Sequence, residues 1–105
     1  MIKEICSKDE FENINEKSYI ICFLTTCSKI SIDFFNDLKL FSKTISIPIF
    51  VMFDEIKEIK DIVENYSSNI FPTIYFVYSN KTYRFRGNTL FYLEKMAIKL
   101  NYVII

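Results

Sequence analysis

Two stretches of this chain, Tyr19-Ile20-Ile21-Cys22-Phe23-Leu24 and Ile47-Pro48-Ile49-Phe50-Val51-Met52-Phe53, are apolar at nearly every position and rich in β-branched and aromatic residues. A strand with one wet face alternates apolar with polar residues, so strands apolar throughout must be covered on both faces. Each run is far shorter than the roughly 20 residues that cross a bilayer. They therefore predict central strands of a layered domain.

What lies between and around the runs supplies the layers. After a polar break at Thr25–Ser28, Ile30, Phe34, Leu38 and Phe41 recur at helical spacing, which predicts a helix following directly from Cys27. Ile56, Ile59, Val63 and Tyr66 mark another, with Lys57/Asp61 and Lys60/Glu64 placed as ion pairs on its wet face, and Ser67-Ser68-Asn69 breaks it. Upstream, Ile2 to Ile5 reads as a short strand and Ser7-Lys8-Asp9-Glu10 has capping-box spacing for a helix from Lys8 to about Asn15. Cys6 and Phe11 stand where a hydrophobic staple would pair them. Ile74 to Tyr78 and Thr82 to Arg86 flank Ser79-Asn80-Lys81, a hairpin in which Asn80 is best suited to positive φ. Gly87, the only glycine, closes the second hairpin strand. Leu90, Leu93, Ala97 and Leu100 make a last amphipathic helix opened by Asn88 or Thr89.

The order βαβαβαββα follows. Strands joined through single helices must pair in parallel, and the hairpin adds antiparallel strands at one edge, so the expected fold is α/β with a mixed central sheet and helices on both faces. With 105 residues and no linker, repeat or low-complexity tract, residues 1–105 are expected to form one domain.

Composition narrows the function classes. Lys plus Arg number 13 and Asp plus Glu number 13, so no net field draws the chain to nucleic acid or acidic lipid. Histidine is absent, which removes Cys-His and Ser-His catalysis and most zinc sites. The three cysteines, Cys6, Cys22 and Cys27, are an odd set too small for a disulfide framework, and Met1 to Phe11 lacks an apolar signal core. A reducing compartment, cytoplasmic or nuclear, is expected, with no membrane attachment, no metal and no cofactor. Cys22, inside an apolar strand, reads as inert core.

In this order of elements, a cysteine at a strand-to-helix junction and a proline leading into a hairpin resemble thioredoxin along essentially the whole chain. Phe23-Leu24-Thr25-Thr26-Cys27-Ser28-Lys29-Ile30 occupies the place of that family's Trp-Cys-Gly-Pro-Cys loop, and Phe71-Pro72-Thr73 that of its cis-proline segment. The departures matter most. The family's second, resolving cysteine falls on Ile30, its Gly-Pro pair on Ser28-Lys29, its Trp on Thr26 and its buried acid on Ile21. A dithiol reductase frees itself from its mixed disulfide with the second thiol, so that reaction is disfavoured here.

Two functions remain. The resemblance implies a groove lined by Thr26, Phe71, Pro72, Thr73 and Gly87 in which an extended partner pairs with backbone, and this supports a non-catalytic protein-interaction module or a subunit of a larger assembly. The alternative is a single-thiol redox protein with Cys27 as nucleophile. The helix N-terminus and Lys29 would hold its thiolate, and Cys27 would exchange with glutathione or a partner cysteine. Arg84 and Arg86, the only arginines, alternate onto one hairpin face and could meet a carboxylate or phosphate, although charges on an edge strand also block edge pairing. The apolar Tyr102-Val103-Ile104-Ile105 could dock on this domain or on a partner.

Overall fold

A computed structural model describes residues 2–87 and 89–100. One five-stranded sheet organises them, in the spatial order β1-β3-β2-β4-β5, where β1 is Ile2–Glu4, β2 Ser18–Leu24, β3 Ile49–Phe53, β4 Thr73–Tyr78 and β5 Lys81–Arg86. β3 pairs in parallel with both β1 and β2, while β4 runs antiparallel to β2 and β5 antiparallel to β4. α1 (Lys8–Glu12) and α2 (Lys29–Phe41) lie on crossovers between parallel strands, α3 (Lys60–Ser67), led by a 3-10 turn at Lys57–Ile59, joins β3 to the oppositely directed β4, and α4 is Leu90–Lys99.

The two continuously apolar runs become β2 and β3, and alternation along each splits its side chains between two cores. Ile20, Cys22 and Leu24 with Ile49 and Val51 face Phe34, Leu38 and Phe41 of α2 and Leu93 and Ala97 of α4. Ile21 and Phe23 with Phe50 and Met52 face Ile5, Ile59 and Val63, against which Phe11 of α1 packs. Both faces are thus covered, as a strand without polar alternation requires.

Several local expectations are corrected. Cys6 is exposed and does not staple α1. Strand alternation turns Ile5 into the α1/α3 core at 1% exposure and so turns Cys6 outward. Ser7 does cap α1, accepting from the N–H of Glu10 at 3.1 Å, but Glu10 reaches back to the N–H of Cys6 rather than to that of Ser7. α1 stops at Glu12 instead of Asn15, because Asn13 leaves helical geometry and a tighter Ile14-to-Phe11 bond turns the chain toward β2.

In the hairpin, pairing of Tyr78 with Lys81 leaves Ser79-Asn80 as a two-residue turn. Positive φ falls on Ser79 at 52° rather than on Asn80, the pattern of a turn strained only at its first central position. On α3, neither Lys57/Asp61 nor Lys60/Glu64 forms. Among the described residues the ion pairs are Lys3–Glu10 and Lys29–Asp33. α4 is capped at Thr89, whose side chain makes no capping bond; Asn88 and the segment 102–105 lie outside the described residues. No helix among the described residues is long and apolar enough to cross a membrane.

Phe34 and Leu40 share α2 but differ in burial, 0% against 65% exposed. Phe34→Ala is expected to cost about 3–5 kcal/mol in a urea unfolding titration, whereas Leu40→Ala is expected to stay within about 0.5 kcal/mol of wild type.

Candidate functional site

Register decides what meets at the carboxyl ends of the central strands. Leu24 of β2 lies beside Phe53 of β3, so the residues after each strand, Thr25–Cys27 and Asp54–Glu55, become neighbours. On the other side of β2, Phe23 pairs with Thr73, which carries Pro72 and Phe71 up alongside Leu24 and Thr25. Two loops distant in sequence thereby flank the Cys27 segment.

Cys27 itself lies outside α2. Ser28 is the N-cap, with extended backbone and its hydroxyl accepting from the N–H of Ser31 at 3.3 Å. The sulfur is therefore one residue before the cap rather than in the first helical turn, which corrects the expectation of a helix running directly from Cys27. The buried Ser31 hydroxyl in turn accepts from the N–H of Thr25 at 2.9 Å, tying the loop to the helix start.

A residue that the sequence reading passed over organises this loop. One carboxylate oxygen of Glu55, Oε2, accepts from the Thr25 hydroxyl at 2.7 Å and from the Thr26 N–H at 3.0 Å, and lies 3.9 Å from the Cys27 sulfur. The Thr25 hydroxyl also accepts from the Cys27 N–H at 3.2 Å. Burial opposes the charge on Glu55, but hydrogen bonds from Asp54, Thr25 and Thr26 outweigh it and hold the carboxyl down at about 2. Burial first, and then the hydrogen bond shared with Glu55, push Asp54 above the usual carboxylate range, and its buried Oδ1 has no hydrogen-bond partner. The signal was the acidic pair directly after an apolar strand, but its meaning depends on knowing which strand lies alongside.

The electrostatics at the sulfur differ from the expected ones. Lys29 gives its ammonium to Asp33 at 2.8 Å, and its own titration is pushed up by that pair. The group that lies against the thiol is the Glu55 carboxylate, 3.9 Å away. The same carboxylate oxygen accepts from the Thr25 hydroxyl and the Thr26 N–H, so it ties the loop together.

No second thiol can reach Cys27. Cys22 is fully buried, and burial pushes its thiol far up. Cys6 lies two residues beyond β1, which β3 separates from β2, so the strands that lead to Cys6 and Cys27 are two strand spacings, roughly 9–10 Å, apart. A disulfide needs Cα atoms within roughly 7 Å. Cys6 is engaged locally, its thiol 3.3 Å from Glu4, which with burial and the charges of Glu4 and Glu10 raises its titration. Ile30, at the resolving position, is 58% exposed, and Ile21, in place of the buried acid, is part of the α1/α3 core.

On the second loop the Phe71–Pro72 peptide is cis. The Pro72 carbonyl accepts from the Gly87 N–H at 2.8 Å, and the Thr73 hydroxyl donates to the Ile70 carbonyl at 2.7 Å. Thr73 is fully buried, so its side chain is structural and not part of a contact surface. Phe71 differs from both neighbours: its backbone N–H and C=O make no hydrogen bond to any described residue. Gly87, at φ 80°, has no described residue within 4 Å of where a Cβ would stand, its chain neighbours aside. Among the described residues no group of three His, Cys, Asp or Glu is placed to hold a metal ion.

Neither a protein-family model nor a curated protein sequence matches the chain. Solved structures do. Thioredoxin O1 of Arabidopsis thaliana in the oxidised state superposes with a TM-score of 0.77 at 12% identity, covering 93% of this chain and 96% of that one. Oxidised Plasmodium falciparum thioredoxin gives 0.74 at 17% identity over 95% and 98% of the two chains. A cysteine-to-serine mutant of an Entamoeba histolytica thioredoxin gives 0.63 at 24% identity over 94% and 99%. With its mixed sheet, its helices on both faces and these superpositions across nearly the whole length, the chain has the thioredoxin fold.

Proposed function

We propose that this protein is a non-catalytic interaction module, a thioredoxin-fold subunit that takes an extended segment of a partner protein across the loops carrying Thr26, Phe71, Pro72 and Gly87. The observation that carries this reading is that the N–H and C=O of Phe71 bond to no described residue and that no described residue crowds the Gly87 Cβ position. An extended strand offers matching backbone groups, and such pairing needs no thiol. The same reading accounts for Glu55, which fixes the loop geometry at the cost of an anion near the sulfur.

A second reading is favoured by one feature, the exposure of the Cys27 thiol on the same face. A partner seated there could form a lasting mixed disulfide with it, the thiolate attacking a partner disulfide or glutathione disulfide and expelling the other sulfur as a thiolate. Nothing in reach would then release it.

Affinity capture separates the two. With wild type, Thr26→Trp and Cys27→Ser as baits, partners are expected to survive reductant and Cys27→Ser and to be lost with Thr26→Trp, whose ring fills the groove. Partners that vanish with reductant and with Cys27→Ser would establish the single-thiol reading instead.

The Glu55 clamp yields two more tests. In a Cys6→Ser background, Glu55→Gln keeps an acceptor for Thr25 and Thr26 but removes the charge. Cys27 is expected to react several-fold faster with a neutral disulfide reagent at pH 7, and an unchanged rate would show that the carboxylate does not restrain the thiol. For pH, a carboxyl lowered from 4.5 to about 2 stabilises the fold above the higher value and loses that contribution as pH falls toward the lower. Wild type is therefore expected to lose more stability than Glu55→Gln between pH 5 and 2, followed by circular dichroism, with the raised Asp54 acting in the opposite sense.

A further inference from the structure

The face of the sheet under α1 and α3 carries a cleft of about 180 Å³, and neither Cys27, Pro72 nor Gly87 lines it. Its floor is the same face of β2, β4 and β5, and Phe11 of α1 and Tyr66 of α3 wall it. α1 is only five residues long, and β5 is exposed along most of its length. Its walls are aromatic. The rings of Phe23 and Tyr66 are stacked, 5.4 Å apart and 2° from parallel, and Tyr75 meets both edge-on at 5.7 and 5.8 Å. Cavities of roughly 150 Å³ lined by apolar groups take up a benzene-sized ring, so this cleft suits one six-membered ring with a small substituent.

The rim supplies donors. The hydroxyls of Tyr19, Tyr66 and Thr82 have no hydrogen-bond partner among the described residues, whereas that of Tyr75 is already committed to the Tyr66 carbonyl at 2.8 Å. Burial and the neighbouring Tyr66 raise the Tyr19 phenol, which keeps it a donor at neutral pH. Arg84 lies directly opposite Tyr75 in the β4–β5 register, and two residues from Thr82 on one strand, so all three present the same face. Arg84 is exposed and belongs to neither ion pair among the described residues. Aromatic walls with a permanent, planar cation on the same face of the sheet, opposite the lining residue Tyr75, match a flat ring bearing a carboxylate.

We propose that this cleft is a binding site for a single-ring aromatic carboxylate, with the ring against Phe23, Tyr66 and Tyr75 and the carboxylate on Arg84. The site is independent of the Cys27 face, so it stands or falls apart from the interaction reading.

The test uses benzoate, with benzamide as its uncharged counterpart and cyclohexanecarboxylate as its non-aromatic one, followed by amide chemical shifts of the full chain. Benzoate is expected to give saturable shifts centred on Phe23, Tyr66, Tyr75 and Thr82 and to bind more tightly than either control. Arg84→Gln is expected to weaken benzoate about fivefold while leaving benzamide unchanged. Lys81→Gln, which removes a charge from the other face of β5, is expected to change neither. Thr82→Phe should fill the cleft and abolish binding with an unaltered circular dichroism spectrum. Absence of saturable shifts, equal binding of the three compounds, indifference to Arg84→Gln, or retention of benzoate by a folded Thr82→Phe protein would each overturn the proposal.

Discussion

Burial of β2 on both faces is the constraint on which the rest depends. Ile20, Cys22 and Leu24 on one side and Ile21 and Phe23 on the other leave this strand no wet face, so it must lie in the middle of the sheet with helices above and below. Once it is central, its neighbours fix the site. The parallel partner β3 delivers Asp54 and Glu55 to one flank of the loop after β2, and the antiparallel partner β4 delivers Phe71 and Pro72 to the other. The functional surface is a consequence of strand register before it is a consequence of any side chain's chemistry.

The proposed reading uses that surface for its shape rather than for a reaction. An oxidoreductase loop of this architecture uses a second thiol and a buried acid. Here Ile30 points to solvent and Ile21 is core. The acid that is present, Glu55, approaches from the neighbouring strand and spends its negative charge on the Thr25 hydroxyl and the Thr26 N–H. A carboxylate that accepts such bonds ties the loop together, with its oxygen 3.9 Å from the Cys27 sulfur. A loop held in this way, beside a Phe71 backbone that bonds to no described residue, suits the proposed docking surface, since a preorganised site loses less freedom on binding.

The architecture was legible in the sequence because periodicity reports burial, and burial decides layers. The continuous runs of β2 and β3, the helical spacing from Phe34 to Phe41 and the break at Ser67–Asn69 all appear where patterning puts them. What patterning could not give was pairing in space. Glu55 was invisible because no local rule says that the residue after β3 faces the residue after β2. The Lys29 ammonium pairs with Asp33, one helical turn on, at 2.8 Å, a competition that the loop sequence alone does not weigh. Cys6 was misjudged by one residue, enough on a strand to exchange buried Ile5 for an exposed thiol. The meaning of Arg84 needed the hairpin register, which alone sets it beside Tyr75 and the aromatic cleft.

The central claim is that the fold is used for its surface and not for its thiol. The most direct measurement replaces the chromosomal copy with Cys27→Ser in the native cell and compares growth and partner recovery with wild type. The thiol contributes only an exposed sulfur to the proposed surface, so full function is expected. Loss of function in a Cys27→Ser protein that folds and accumulates normally would contradict the account and place the chemistry back at the sulfur.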